Sequence, residues 1–489
     1  MFEIEEFLKH QKVTLIAPAG YGKTHSIAAS LSILKESGKH LILTHTHAGL
    51  ASIKEKLKKG AIPTKAFHVE TISGFAQRYV HSFCTAEEIP EPNEKDYFKT
   101  IITKALKLFE LKPVQRVLAR SYNSLFVDEY QDCTTQQHKL ILLLSDLFPT
   151  RFLGDPLQGI FQFDHLDPIV DLNCATQMGA FLDKKFELVE PQRWLRGNNE
   201  KLGQDLKKIR AELLSGNPIL LNQYPSIEHY IFNEADIYLP AKPYYKLISK
   251  LLNEKNVLVL HPTSHSISLR LKLVKQFNNR LILLEAIDDK DFYKLAETFD
   301  QHIAGRSAIT VREACLGIFN KTEFNKWFNE KGLISKSKQA DKDVIAKLGQ
   351  LIRHLDSQVS FLKFKEALLE LIKMPGLKCY RKEVFHCLCK ALDLAHSEKI
   401  TVLEAMVEVR NSIRRFGRKA NIKCIGTTLL TKGLEFDTVL ILDAHKFDSP
   451  KHLYVALTRA AKRLIVVSNN NTLSAYTNKF DNLPQKTKI

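Results

Sequence analysis

Short runs of apolar residues, closed by small or hydroxylated ones, punctuate the chain. Val13 to Ala17 holds four apolar residues in five and predicts a buried strand. His40 to Thr46 and Phe67 to Ser73 predict two more strands, each ending in hydroxyls. Further strands are expected at Leu125 to Val127, at a segment ending in Arg151 to Asp155, and at Val257 to Leu260. Between them, Lys54 to Lys59 reads as helix, and residues 76 to 120 as basic helix with a polar break at Thr85 to Glu94. From about 286 to 412 the strand pattern stops. There Val344, Leu348, Leu351, Ile352, Leu355, Val359 and Leu362 recur at helical spacing, which predicts a helical insertion with an ordinary core stripe. Ser335 to Lys342 reads as a polar linker inside it. Strands alternating with helices predict an α/β fold.

Composition narrows this. The 489 residues are enough for about three domains, and 44% hydrophobic content suits real cores. A net charge of +17 favours a polyanionic partner, nucleic acid first, although a basic solvated surface gives the same number. Eight cysteines in so long a chain fit a reducing cytosol. Met1 to His10 is short and acidic, with no apolar core of a leader, and no apolar run is long enough to span a bilayer. A cytoplasmic protein with no membrane partner is expected. Cys379, His386, Cys387 and Cys389 form one C-x-C cluster in a helical stretch, which lacks the paired spacing of a zinc site, so buried thiols are expected.

The candidate chemistry starts in VTLIAPAGYGKT. Gly20 and Gly22 permit a tight turn whose N–H groups can face phosphates, and the helix from His25 onward adds its positive end. Lys23 can reach the β- and γ-phosphates and Thr24 can ligate Mg²⁺. The phosphate loop is thus Ala17, Pro18, Ala19, Gly20, Tyr21, Gly22, Lys23 and Thr24, with Ala17 where the pattern has its first glycine. Leu125 to Asp132 is an apolar strand ending in two carboxylates. Asp128 is expected to hold Mg²⁺ through water, and Glu129 to orient and deprotonate the attacking water. Gln158 is a polar residue able to sense a γ-phosphate. Phe161 and Phe163 can present two faces for base stacking, with core packing as the other reading. Thr46, Thr71 and Ser73 could bond a nucleic-acid backbone, or simply cap the elements they end.

DEYQD followed by GDPLQGIFQF resembles motifs II and III of the UvrD/Rep branch of superfamily-one helicases. Leu188 to Arg193 resembles motif IV, whose arginine touches the γ-phosphate. Gly426 to Phe436 resembles motif V, and Leu453 to Ala460 motif VI with its arginine finger. Thr44 to Leu50 and Thr71 to Phe75 fall where motifs Ia and Ib belong. The resemblance implies two RecA-like α/β motor domains with ATP, or another NTP, and Mg²⁺ in the cleft between them. Lys23, Thr24, Asp128, Glu129 and Gln158 would form one wall, and Arg193, Glu435 and Arg459 the other. Hydroxyls and aromatics after predicted strand ends, with the excess positive charge, suggest single-stranded DNA over Thr46, Thr71, Ser73, Phe161, Phe163, Thr428 and Lys432, and the resemblance implies 3′-to-5′ stepping.

The expected division is 1–190 for the first motor domain, with a reduced helical insert near 76–120. The second would take 191–285 and 413–489, with the insertion at 286–412 between them. Departures from the family bear on specificity. Gln11 lies too close to the loop to be the family's glutamine motif, and Gln192 replaces a base-stacking tyrosine, so strict ATP recognition is weakened. Leu429 replaces a DNA-contacting histidine and Asp164 an arginine. In size, early P-loop and pruned insertions the chain also resembles the compact helicase-like subunit of the Gabija antiphage system, which implies an OLD-family nuclease as protein partner. Two rivals are an NTP-hydrolysing regulatory or scaffold subunit that unwinds nothing, and a stand-alone DNA-repair translocase.

Overall fold

The computed structural model describes residues 3–90, 97–161, 166–262, 267–278, 280–284, 290–303, 305–330, 332–334, 339–416 and 423–475. The chain forms two compact units. One comprises Met1–Ile231, Arg415–Ala420 and Thr431–Ile489, and the other Phe232–Arg414 and Asn421–Leu430.

In the first unit six strands form one parallel sheet: β1 (Lys12–Ile16), β2 (His40–Thr44), β3 (Phe67–Thr71), β4 (Ser124–Val127), β5 (Thr150–Gly154) and β6 (Lys185–Glu187). Their order is β3-β2-β4-β5-β1-β6. The four strands β1, β2, β4 and β5 have apolar side chains on both faces because helices cover both faces of the sheet, as parallel sheets require. β6 was not legible: its Lys-Phe-Glu pattern is that of a short, solvated edge. β3 stops at Thr71, and Ile72–Phe83 is helix, so Ser73 lies in a helical first turn and not at a strand end. The basic stretch after it is three helices, Ile72–Phe83, Tyr97–Phe109 and Lys112–Ser121. Phe152 on β5 is stacked between Tyr130 and Phe181 at 3.7 Å on each side, which anchors the segment after β4 to the core.

The same unit runs on past residue 190. Helix Glu200–Ser215 belongs to it, as do three further parallel strands, Ile227–Ile231, Phe436–Ile441 and Ala460–Ser468. The reason is packing. A Cβ on Gly203 would meet Pro191 and Trp194 at 3.0 Å, so that helix is seated directly on the turn before it.

The second unit holds three parallel strands, Ile282–Leu283, Lys423–Gly426 and Val257–Leu260, the second of them central. The insertion is helical as expected, apart from a two-residue pair, Phe328–Asn329 with Gly332–Leu333. Helices Gln339–Ser357, Phe361–Ile372, Lys382–Glu398 and Val402–Phe416 close a core around Phe299, Phe319, Phe364, Leu368 and Leu388. The expected stripe breaks before its end. Leu348, Ile352 and Leu355 are buried, but the helix ends at Ser357, and Val359 and Leu362 are exposed. The expected linker is helix from Gln339 onward, and its residues 335–338 lie outside the described residues. Cys387 and Cys389 are buried thiols, Cys379 is half-buried, and among the described residues no group of three or more His, Cys, Asp or Glu could hold a metal. Among the described residues, no helix is long and apolar enough to cross a membrane. The α/β class with parallel sheets is therefore what the structure shows.

Candidate nucleotide site

The loop after β1 is fixed by backbone bonds before any side chain matters. The Ala17 N–H donates to the Gly154 carbonyl at 2.9 Å, and the Tyr21 N–H to Pro18 at 3.1 Å. Gly20 and Gly22 have φ of 78° and 99°, the left-handed region that favours glycine, and helix Lys23–Leu34 starts directly after. Gly20 is also a close approach: a Cβ there would come within 2.9 Å of the Trp194 ring and 3.0 Å of Arg193. The Arg193 N–H donates to the Gly20 carbonyl at 2.8 Å. Trp194 is fully buried and its Nε1 donates to the Ala460 carbonyl at 2.9 Å. One tryptophan thus joins the phosphate loop to the segment holding Arg459. Sequence reading missed it, although a tryptophan directly after the motif IV arginine was a visible cue.

The two carboxylates follow β4. Glu129 has φ of 55°, an uncommon backbone for a side chain with a Cβ. Its Oε1 accepts from Lys23 Nζ at 2.5 Å and its Oε2 from Gln131 Nε2 at 2.5 Å. Burial raises the Glu129 carboxyl, but Lys23, Lys432 and the two hydrogen bonds outweigh it and hold it below the usual carboxylate range. Asp128 goes the other way: burial lifts it, and the Lys23 ammonium 3.6 Å from its Oδ1 offsets this only in part. Lys23 would be depressed by burial, yet Glu129 and Asp128 push it above its ordinary value. Asp128 Oδ1 is buried and takes no hydrogen bond among the described residues. Together with the Thr24 hydroxyl it supplies hard oxygen donors, a set that fits Mg²⁺. Asp128 and Thr24 are the residues that would hold such an ion.

Gln158 sits in a buried cluster. Its Nε2 donates to Asp155 Oδ2 at 3.0 Å, while Arg210 Nη2 from helix Glu200–Ser215 donates to Asp155 Oδ1 at 2.9 Å. Asp155 and Arg210 were not singled out from sequence, since nothing local marks a pair 55 residues apart.

Arg193 Nη2 donates to Glu435 Oε1 at 2.6 Å and Nη1 to the Thr458 carbonyl at 2.5 Å. Arg459 is only 2% exposed, its guanidinium donating to the carbonyls of Val455 at 2.9 Å and Leu434 at 3.1 Å and to the Thr458 hydroxyl at 3.2 Å. Burial, with the nearby Arg193, lowers its pKa to about 10.

Lys23, Thr24, Asp128, Glu129, Gln158, Arg193, Glu435 and Arg459 all line one cleft of about 440 Å³, with Ala17, Pro18, Ala19, Gly20 and Gly22. All belong to the first compact unit. Tyr21 does not line it. Its side chain is turned into the protein, where burial pushes the phenol up to about 12. Lys56, His25 and Arg196 line the cleft and were not expected there.

The residues expected to meet DNA are placed less uniformly. The Thr46 hydroxyl accepts from the Gly49 N–H and the Thr71 hydroxyl from the Gly74 N–H, each at 3.0 Å, so both are helix N-caps. Ser73 is half-buried, and Thr428 is buried at the start of helix Thr428–Thr431. Lys432 is a correction. Its side chain is 5% exposed, and Nζ is held by the Asp132 carboxylate and the Gln158 carbonyl, 4.6 Å from the centre of the Phe161 ring. A buried cation in an ion pair is not presented to a phosphate backbone. Phe161 is half-buried beside the cleft, and Phe163 lies outside the described residues.

Comparison with known proteins agrees with the motif reading at both ends of the chain. Residues 3–164 match the AAA domain family, and residues 425–467 match the UvrD-like helicase C-terminal domain family. Two curated relatives from Streptococcus equi subsp. zooepidemicus, strains H70 and MGCS10565, are 28% identical over 163 residues, and each is one subunit of an ATP-dependent helicase/nuclease. The match covers 30% of this chain but only 13% of each relative's length. A crystal structure of the Pif1 helicase from Candida albicans aligns over 96% of this chain and 94% of that one, with 11% identity and a TM-score of 0.39.

Proposed function

We propose that the protein is a UvrD-like, ATP-dependent DNA helicase or translocase that hydrolyses ATP, or another NTP, with Mg²⁺. One observation carries this reading. Eight side chains from six separate stretches of sequence, all expected at the nucleotide from the motifs, line a single cleft. In it Lys23 and the loop N–H groups would hold phosphates, and Thr24 and Asp128 the metal. Glu129 would take the proton of the attacking water, and Gln158, Arg193 and Arg459 would face the transferring phosphoryl group. Bound Mg²⁺ would neutralise charge on the phosphate oxygens. Single-stranded DNA is the proposed track, supported by the +17 charge and the motif order. An OLD-family nuclease partner in antiphage defence is a finer part of the proposal that rests on resemblance alone, and a cytoplasmic setting is one that rests on the sparse cysteines.

A second reading is favoured by the residues expected to meet DNA. Thr46 and Thr71 cap helices and Lys432 is buried, which suits an NTP-hydrolysing regulatory subunit without unwinding. One experiment separates the two. The purified protein is assayed for hydrolysis of each of the four NTPs with and without single-stranded DNA, then for strand displacement on a tailed duplex. DNA-stimulated hydrolysis with displacement supports the helicase. Hydrolysis indifferent to DNA supports the regulatory subunit, and absence of hydrolysis with every nucleotide rejects both.

A further inference from the structure

We infer that Gln131 is a positioning residue that ties the general base Glu129 to the γ-phosphate glutamine Gln158, a role that rests on the hydrolysis reading above. Gln131 is 1% exposed, and its carboxamide uses both ends. Nε2 donates to Glu129 Oε2 at 2.5 Å, and Oε1 accepts from the Asp155 N–H at 3.0 Å. A carboxylate on one side and an N–H on the other admit only one orientation of the amide. Asp155 then accepts from Gln158 Nε2 at 3.0 Å, and is itself held by Arg210 at 2.9 Å and by the Leu157 N–H at 3.2 Å. The path from Lys23 through Glu129, Gln131 and Asp155 to Gln158 is therefore closed side chain to side chain, with one backbone N–H in it.

The surrounding backbone is shaped to this amide. A Cβ on Gly154 would lie 2.7 Å from Gln131 Oε1, and one on Gly159 would lie 3.0 Å from the Gln131 carbonyl oxygen. Glycine at both positions lets the strand end at β5 and the turn after it approach Gln131 closely.

The chemistry gives the link a purpose. Lys23 and Gln131 are the two side chains that donate to the Glu129 carboxylate among the described residues. Lys23 is also the residue that must turn to a phosphate. Gln131 has no such second duty, so it keeps the carboxylate aimed when Lys23 is engaged. Because its other end is fixed to Asp155, the base and Gln158 are registered to each other as well as to the loop. A misplacement of about 1 Å at a reacting group costs on the order of a hundredfold in rate.

The test is Gln131→Met, which keeps length and volume and removes both hydrogen bonds. The expected result is a fall in kcat on the order of 10- to 100-fold, with the dissociation constant of a fluorescent ATP analogue unchanged within about threefold. Gln158→Met is made as well, and with it the double variant. Residues acting through one path lose less together than the product of their separate losses, so the double variant should be no slower than the slower single one within about threefold. Multiplicative losses, near-normal turnover in Gln131→Met, or parallel loss of nucleotide affinity and kcat would each overturn the link. Glu129→Gln is run alongside. If it turns over normally, the assignment of Glu129 as general base fails, and the link with it; if it is inactive while Gln131→Met is normal, only the link fails; and if the unsubstituted protein hydrolyses no NTP, the hydrolysis reading itself fails.

Discussion

The two units bury different chemistry. Beside the cleft of the first lie Lys23, Asp128, Asp132, Lys432, Asp155 and Arg210, all nearly inaccessible and joined in pairs. The helical core of the second is built from Phe299, Phe364, Leu368, Leu388 and their like. Its ion pairs, such as Lys326–Glu323 and Lys365–Asp393, lie partly or largely in solvent. Taking charge out of water costs several kcal/mol per ion unless it is closely matched, whereas an apolar core gains from the same burial. A fold needing only stability has no use for the first arrangement. The contrast shows where in this chain stability has been set aside for chemistry.

The contrast is broken most severely at the phosphate site. Lys23→Ala should reduce hydrolysis to background, since no other lysine of the loop can replace its charge at the β- and γ-phosphates. Phosphate release at near-normal rate from a contaminant-free preparation would remove the proposed site. Glu129→Gln keeps the shape and removes the base. It should lose about a hundredfold or more in turnover while still binding nucleotide, as judged by equilibrium binding of a fluorescent analogue. Equal loss of binding would make Glu129 a structural or metal-holding group instead.

Much of that site was legible because its chemistry is written contiguously. A strand, a glycine turn and a lysine must follow one another, and two carboxylates must end a strand, so Lys23, Asp128 and Glu129 stand in short strings. What escaped has a different physical origin. Arg210 acts through a partner 55 residues away that no local pattern encodes, and Trp194, though its place after the motif IV arginine was a cue, bonds a carbonyl 266 residues further on. Lys432 was placed at a DNA surface because a motif gives a residue's neighbourhood and not its exposure. Thr46 and Thr71 illustrate the same point from the other side, because a hydroxyl at or just past a strand's end also begins the next helix. In the insertion, periodicity gave helix correctly but carried the buried stripe beyond Ser357, where the helix stops.

Stability measurements sharpen the comparison with smaller effects. Arg210→Met leaves Asp155 buried without its cation and should cost about 3–5 kcal/mol in denaturant unfolding of the first unit. Leu368→Ala, in the apolar core, should cost about 2–5 kcal/mol while leaving the rate of NTP hydrolysis by the folded protein unchanged. A hydrolysis defect there at full folding would undo the division of labour. Lys365→Met, at a partly exposed pair, should cost less than about 1 kcal/mol, and a loss equal to that of Arg210→Met would end the distinction. The smallest effect concerns acid. His40 and His138, both in the first unit, are held below their ordinary value by burial, so the native state resists protons that the unfolded chain accepts. Their contribution is present above about pH 6.5 and is lost as pH falls below it, lowering the thermal midpoint. A His40→Asn, His138→Gln variant should show a shallower decline between about pH 7 and pH 5, and an unchanged slope would contradict the assignment.

The first unit is discontinuous: the chain leaves it after Ile231 and returns to stay at Thr431. During synthesis this becomes a delay. A ribosome adding about 5–20 residues per second needs roughly 10–40 s to go from residue 231 to residue 431, 200 residues later (431 − 231). Throughout that interval the nascent chain already holds Lys23, Asp128 and Glu129 but has neither Glu435 nor Arg459. Strand Ile227–Ile231 has been made, yet the strand it pairs with, Ala460–Ser468, has not. Such an open edge invites capture by other strands until its partner is made. On the proposed function, hydrolysis would begin only once Glu435 and Arg459 have been added to the cleft.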